Sequence, residues 1–164
     1  MTPDNLKRVL FWLAIAVAIA LADQVSKGVI SANLRFSEVR EITGFFNLVL
    51  AHNRGAAFSF LSDAGGWQRT LFIGIAVVAT AVIVVMLVRH SGERLFSAGL
   101  ALILGGALGN LWDRIVLGYV VDFLDFHAFG WHFWAFNIAD SAITVGAGLL
   151  ILDGLRSAGP AQKA

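Results

Sequence analysis

The stretch Leu71–Val88 constrains the fold more than any other feature, because its 18 residues contain no charged side chain. As an α-helix, a run of that length matches the hydrocarbon thickness of a bilayer, about 30 Å. Hydrophobic residues make up 58% of the 164 residues and charged residues 14%. This composition indicates an integral membrane protein. The net charge of +1 gives nucleic acid no overall electrostatic attraction.

Three further segments are apolar enough to span a membrane. We predict spans at about 9–28, 70–88, 95–113 and 137–153 in one membrane domain covering residues 1–164, with outer-face loops at 29–69 and 114–136. Aromatic residues from Trp131 to Phe136 suit a membrane interface and would extend the short fourth span upstream. The first segment, which follows Lys7 and Arg8, also fits a cleavable signal peptide. Gly105 and Gly109 in the third span allow close approach of a neighbouring helix.

The region between the first two spans predicts a small extramembrane structure. Two β-prone segments, 38–42 and 45–52, are joined by Thr43 and Gly44 and predict a hairpin. Phe58, Phe60 and Leu61 then suit a short amphipathic piece at the interface. The expected fold is therefore an all-α polytopic membrane protein with four transmembrane helices, a small extracytoplasmic β-hairpin or sheet, and an amphipathic loop.

The distribution of basic residues predicts the orientation of these spans. Four spans place both termini on one side of the membrane. The basic residues on that side are Lys7, Arg8, Arg89, Arg94, Arg156 and Lys163. By the positive-inside rule this side is cytoplasmic, and the hairpin and the long loops lie on the outer face. The loop after the first span is itself fairly basic, which is a partial violation of the rule.

Two acidic residues stand in apolar surroundings at the predicted outer edge of the membrane. Asp122 lies in the apolar run Val120–Leu124, and an ionisable group at such a depth suggests a function. Asp140 follows Asn137 by three residues, so that Asn137 as N-cap would place this carboxylate at a helix start. If brought together, the two carboxylates would share a proton, as in aspartic hydrolases. The structural alternatives are a capping role for Asp140 and, with Asp125 nearby, a solvated loop end for Asp122.

Two other polar clusters lie near the ends of spans. Asp23 and Lys27 have the i, i+4 spacing of a helix ion pair, although Lys27 would also suit contact with a lipid phosphate. Asn110, Asp113 and Arg114 follow the third span. In one interpretation Arg114 neutralises an acid and snorkels to the interface. In the other, this cluster orients an aspartate or holds the backbone of a substrate.

Several kinds of chemistry are excluded or unsupported. The chain has no cysteine, which excludes disulfides, thiolate catalysis and cysteine metal sites. The four histidines follow no recognised ligand pattern, and His52 and His90 should lie on opposite sides of the membrane. We therefore expect neither a metal nor a cofactor.

Five sequence blocks together closely resemble the bacterial lipoprotein signal peptidases, also called type II signal peptidases. In the order of that family, the blocks are Asp23–Lys27, Asn53–Ser59, Gly109–Arg114, Val121–Phe123 and Phe136–Ser141. Ala135 stands where many members have proline, which we expect to affect loop stiffness and not the chemistry.

The resemblance implies an aspartic endopeptidase of the bacterial inner membrane that removes the signal peptide of diacylglyceryl-modified prolipoproteins, cutting before the lipidated cysteine. Asp122 and Asp140 match the catalytic pair of the family. The matching positions around them are Asp23, Lys27, Asn53, Gly55, Asn110, Arg114 and Asn137. The implied partners are prolipoprotein substrates, membrane lipid and the inhibitor globomycin. The enzyme itself is expected to be a monomer. The family keeps its first helix, which argues against a cleaved signal peptide.

Two non-enzymatic interpretations compete with the peptidase. In a small transporter or proton-conducting subunit, Asp122 and Asp140 would be relay groups. Transporters usually contain paired repeats or interrupted helices, and neither is visible in the sequence. In an assembly protein, the glycine-rich third span would serve only for packing.

Overall fold

A computed structural model of the chain describes residues 2–55 and 67–157. Within them lie four long helices, α1 (Pro3–Asn33), α2 (Trp67–His90), α3 (Arg94–Val116) and α4 (Ile138–Ser157). All four are long and apolar enough to cross a membrane. The expectation of four spanning helices is confirmed, and the first three extend past both predicted ends. The amphipathic piece expected at Phe58, Phe60 and Leu61 lies outside the described residues.

Helix α3 is the centre of the bundle and packs against each of the other three helices. Glycines allow this close approach. A Cβ atom on Gly105 would lie 2.6 Å from the carbonyl oxygen of Ala16 on α1, and one on Gly99 would lie 2.8 Å from the carbonyl oxygen of Gly146 on α4. A Cβ on Gly109 would lie 2.5 Å from Asp23 Oδ2. The predicted role of Gly105 and Gly109 in helix packing is thus confirmed.

Beside the bundle lies an antiparallel sheet in the order β1-β2-β3-β4, with β1 (Val39–Thr43), β2 (Phe46–Asn53), β3 (Val120–Ala128) and β4 (Trp131–His132). Each strand of the β1–β2 hairpin begins and ends one residue later than predicted. Strands β3 and β4 fall inside the segment expected to be a loop, so the all-α description omits half of the sheet. The aromatic residues from Trp131 to Phe136 belong to β4 and the chain after it, and they do not extend α4 upstream.

Strand β3 places alternate side chains on two different surfaces, as strand geometry requires. Val121 and Phe123 point into a core shared with Ile30, Leu34 and Leu50. Asp122 therefore points to the opposite face. This alternation is the reason why a carboxylate in an apolar run does not enter the hydrophobic core.

Candidate active site

Asp122 lies in the middle of β3, where it pairs with Ala51 of β2, and it is only 3% exposed. Both carboxylate oxygens accept hydrogen bonds from asparagine amides. Asn53 Nδ2 donates to Oδ2 at 3.0 Å, and Asn137 Nδ2 donates to Oδ1 at 2.7 Å. Burial and the nearby Asp140 carboxylate raise the pKa of Asp122 to about 7, against the lowering effect of these two amides. Asp122 thus has the proton affinity of a group that titrates near neutral pH.

Asp140 is the third residue of α4, and Asn137 caps this helix as the spacing predicted. The Asp140 N–H donates to Asn137 Oδ1 at 2.9 Å, and the Asn137 N–H donates to Asp140 Oδ2 at 3.3 Å. This reciprocal arrangement has the form of a capping box. The other carboxylate oxygen, Oδ1, accepts a hydrogen bond from Asn110 Nδ2 at 2.8 Å. Capping therefore uses only part of the hydrogen-bonding capacity of Asp140.

The two aspartates line one cavity of about 630 Å³, together with Asn53, Asn110 and Arg114. Asn137 joins them, because its amide nitrogen binds the Asp122 carboxylate and its amide oxygen accepts the Asp140 N–H. The described structure thus brings together residues that are far apart in the sequence. Such a linked carboxylate pair can hold one proton between two groups and can activate a water molecule.

Lys27 lies beneath this pair and is only 3% exposed. Its ammonium group is 2.7 Å from Asp23 Oδ2 and 2.8 Å from Asp113 Oδ2, and it donates to Asn110 Oδ1 at 2.9 Å. The expected ion pair with Asp23 is confirmed, and the alternative of contact with a lipid phosphate is wrong. An ammonium group only donates, so Asn110 must turn its carbonyl toward Lys27 and its NH₂ group toward Asp140.

The two acids that hold Lys27 also hold the backbone beside each cavity aspartate. Asp23 Oδ1 accepts the N–H of Ala139, the residue before Asp140, at 2.9 Å. Asp113 Oδ2 accepts the N–H of Val121, the residue before Asp122, at 3.2 Å. The Asp23–Lys27–Asp113 triad therefore supports both cavity aspartates at once.

Arg114 forms no direct salt bridge with an acid of the described residues, although the charges of Asp140, Asp122 and Asp113 all attract its guanidinium. Its guanidinium donates to the carbonyl oxygen of Asn110 at 3.3 Å and, weakly, to that of Gly55 at 3.5 Å. It also lies over the ring of Phe72, 5.1 Å from the ring centre. Gly55 is held in turn by Asn53, whose Oδ1 accepts the Gly55 N–H at 3.0 Å in a tight turn. Arg114 thus remains beside the cavity as a cation.

Sequence analysis did not identify two residues of this region. Gln24 donates to Asp113 Oδ1 at 2.8 Å and to Asp23 Oδ2 at 3.3 Å, and so links the two acids of the triad a second time. His52 lines the cavity and stacks on Tyr119 with the ring centres 3.9 Å apart. Burial, aided by the Arg54 charge, lowers the pKa of His52, which keeps this ring neutral. For Gln24 the available signals are its polarity and its position inside the first family block, Asp23–Lys27.

The fold and the cavity define a polytopic membrane protein with a linked pair of carboxylates, one buried and one half-buried, at one end of its helix bundle. Residues 15–156 match the sequence model of a family described as signal peptidase (SPase) II. The chain belongs to this family, which confirms the resemblance seen in its sequence.

Individual relatives agree with this assignment. The chain is 58% identical to the lipoprotein signal peptidase of Cupriavidus taiwanensis, over 90% of this chain and 84% of that protein. It is 60% identical to the lipoprotein signal peptidase of Ralstonia nicotianae, over 88% of this chain and 84% of that protein. A solved structure of a bacterial membrane enzyme matches with a TM-score of 0.84 at 32% identity, covering 94% of this chain and 93% of the other. A second such structure matches with a TM-score of 0.78 at 33% identity, over 89% and 93% of the two chains.

Proposed function

We propose that this protein is an aspartic endopeptidase that removes signal peptides from diacylglyceryl-modified prolipoproteins, cutting on the amino side of the lipidated cysteine. The observation that carries the proposal is the joint position of Asp122 and Asp140 on one cavity, linked through the side chain of Asn137. The printed names of the relatives, which are lipoprotein signal peptidases, support the substrate class.

In the proposed mechanism the two aspartates share one proton. The ionised aspartate takes a proton from a water molecule that attacks the scissile carbonyl carbon. The neutral aspartate donates a hydrogen bond to the developing oxyanion and later a proton to the leaving amine. Because the pair titrates as a unit, the two roles are not assigned to individual residues. The pKa of about 7 for Asp122 supports the presence of a shared proton at neutral pH.

Residues around the pair are proposed to bind the backbone of the substrate. A signal peptide that unwinds in a lipid environment exposes amide groups that need hydrogen-bond partners. Asn53, Asn110 and Arg114 line the cavity and are the proposed partners. Asn137, Gly55, Asp23 and Lys27 are proposed to hold these groups in position through the hydrogen bonds and ion pairs described above.

We further propose an inner-membrane location with both termini in the cytoplasm and the cavity at the outer face. The start of α1 and the α2–α3 turn lie at the same end of the bundle, since the indole of Trp12 donates to the carbonyl oxygen of Ser91 at 3.1 Å. This end carries Lys7, Arg8, Arg89 and Arg94, which supports the orientation by the positive-inside rule. The enzyme is proposed to act as a monomer and to bind globomycin in the cavity.

The test compares cleavage of a purified diacylglyceryl-modified prolipoprotein by four forms of the protein in detergent. These are the wild type, Asp122→Asn, Asp140→Asn and the matched control Asp125→Asn. Asp125 is also a buried acid of β3, but it accepts from Asn47 at 2.8 Å and does not line the cavity.

We expect globomycin-sensitive cleavage by the wild type and Asp125→Asn, and none by the other two variants. If both cavity variants remain active, Asp122 and Asp140 are structural acids. If no folded sample cleaves the substrate, the relay interpretation is preferred, and its own test is proton uptake by vesicles that contain the protein.

A further inference from the structure

The β3–β4 hairpin has two chemically different faces. Ala128 pairs with Trp131, and His127 pairs with His132. Side chains alternate along a strand, so Phe126 and Trp131 share one face, whereas Asp125 and both histidines share the other. The contacts agree with this division, because His132 Nδ1 is 3.0 Å from Asp125 Oδ2 and the rings of His127 and His132 stack 5.0 Å apart.

The first of these faces is aromatic and exposed. We call it the aromatic face and define it as Phe45, Phe126, Phe129, Trp131 and Phe133. Trp131 is 84% exposed and Phe129 at the hairpin tip is 106% exposed. Between residues 126 and 136 the sequence contains no Asp, Glu, Lys or Arg. A water-soluble surface seldom concentrates so many large apolar side chains without a charged residue among them.

The hairpin tip is built around an aromatic residue at an unfavourable position. Phe129 has φ of 52° and Gly130 has φ of 80°, a pattern that asparagine and glycine normally supply in two-residue hairpin turns. A bulky residue with positive φ is unusual. Phe129 gains no burial in return from the part of the chain that the structure describes. Its conformation and its exposure together indicate that its partner lies outside the described residues 2–55 and 67–157.

The position of the hairpin identifies that partner. Leu124 of β3 exchanges backbone hydrogen bonds with Phe136, at 2.8 and 3.1 Å, and the spanning helix α4 begins two residues later at Ile138. The aromatic face is therefore attached at the end of a membrane span. Aromatic side chains favour the layer between lipid headgroups and acyl chains, where an apolar ring and polar edges are both accommodated.

We propose that the aromatic face lies in the interfacial layer of the bilayer and that phospholipid is its partner. Asp122 is on the same face of β3 as Phe126, and Phe133 lines both the active-site cavity and the groove under the aromatic face. A hairpin anchored in this way keeps the mouth of the cavity at the membrane surface.

The absence of native cysteine makes a depth measurement direct. Nitroxide labels are attached to Phe129→Cys, to Glu41→Cys on exposed strand β1 and to Val78→Cys, which is 64% exposed within spanning helix α2. Each labelled protein is placed in nanodiscs of phosphatidylcholine and phosphatidylglycerol. Electron paramagnetic resonance then compares collisions of the label with oxygen, which partitions into lipid, and with a water-soluble nickel chelate.

We expect the oxygen-to-nickel collision ratio at Phe129 to lie between the other two and several-fold above that at Glu41. A ratio equal to that at Glu41 places the hairpin in water and overturns the proposal. Loss of collisions with both reagents shows that protein covers the face and also overturns it. A second measurement uses the fluorescence of Trp131, obtained as the difference in emission between the wild type and Trp131→Phe. We expect lipids brominated near the headgroups to quench this contribution. None of these readouts depends on peptidase activity.

Discussion

The side-chain amide of Asn137 lies 2.7 Å from Asp122 Oδ1, although the two residues belong to the start of α4 and to β3. The oxygen of the same amide accepts the N–H of Asp140 at 2.9 Å. One asparagine thus sets the relative position of a strand aspartate and a helix aspartate.

Replacement of this asparagine should disturb both aspartates. We expect Asn137→Ala to lower the free energy of unfolding by about 1–3 kcal/mol, because it leaves a buried carboxylate oxygen without its donor. Cleavage of prolipoprotein should fall by at least about 100-fold, because the two aspartates would no longer be held in the same relative position. Asn47→Ala is the control, since Asn47 is also a buried donor to an acid but that acid lies outside the cavity. Equal loss of activity in both variants would show a general folding defect.

The pKa of Asp122 predicts a pH-dependent stability. Its pKa is raised to about 7 in the folded protein, against about 3.9 in an unfolded chain. The folded state therefore binds the proton more tightly, and stability is highest below about pH 4 and falls as pH rises to 7. The full effect is at most about 4 kcal/mol. Asn cannot ionise, so the melting temperature of Asp122→Asn should rise relative to the wild type between pH 5 and 8. If the melting temperatures of the two proteins change in parallel with pH, the raised pKa of Asp122 is contradicted.

The pH profile of cleavage should respond to Asn53. If the active pair carries one proton, activity falls on the alkaline side as that proton is lost, near the pKa of about 7 for Asp122. The Asn53 amide stabilises the ionised form of Asp122 and so lowers its pKa. Asn53→Ala should therefore move the alkaline limb of kcat/KM to higher pH. Asn47→Ala should leave this limb in place, and an unmoved limb in Asn53→Ala would show that another group controls it.

Removal of the Lys27 charge should leave two buried carboxylates without their cation. We expect Lys27→Met to lower the free energy of unfolding by about 3–5 kcal/mol, as for other broken buried ion pairs. Thermal unfolding in detergent measures this loss. Lys7→Met is the control, since the Lys7 side chain is 81% exposed and its substitution should cost nearly nothing. The double variant Lys27→Met/Asp113→Asn should recover part of the loss, because it removes one of the unpaired charges. No recovery would argue against charge as the cause.

Close packing of α3 against α4 should make Gly106 sensitive to substitution by alanine, whereas Gly148 should tolerate it. A Cβ on Gly106 would collide with the backbone carbonyl oxygen of Ala139, beside Asp140, whereas a Cβ on Gly148 of α4 would meet nothing within 4 Å. Gly106→Ala should therefore lower the melting temperature and the cleavage rate together. Gly148→Ala should be neutral or stabilise by up to about 1 kcal/mol through helix propensity. Similar behaviour of the two variants would contradict the packing shown here.

Sequence patterns were sufficient where the controlling interaction is local. The apolar runs predicted the spanning helices, since backbone groups in lipid must be satisfied within the helix itself. The three-residue interval between Asn137 and Asp140 predicted the cap at the start of α4. Thr43 and Gly44 predicted the turn between β1 and β2.

The contacts that build the cavity could not be predicted because they join distant parts of the chain. The spacing of Asp23 and Lys27 indicates their own ion pair but not the rotation of α1 that brings Lys27 to Asp113 of α3. In the same way, the apolar run around Asp122 does not reveal that β3 pairs with β2. Without that pairing, the sequence predicts a loop and an upstream extension of α4 for the aromatic stretch after Ala128, although part of this stretch forms β4.

The shared cavity also has a consequence for biogenesis. Its carboxylate, amide and guanidinium groups come from β2, α3, β3 and α4, and the last of its carboxylates along the chain is Asp140. Asp23 and Lys27 are synthesised together on α1, and their partner Asp113 follows on α3. The carboxylate pair is complete only when the fourth helix has been delivered. Under the proposed function, a nascent chain therefore gains its peptidase activity only after α4 has been synthesised.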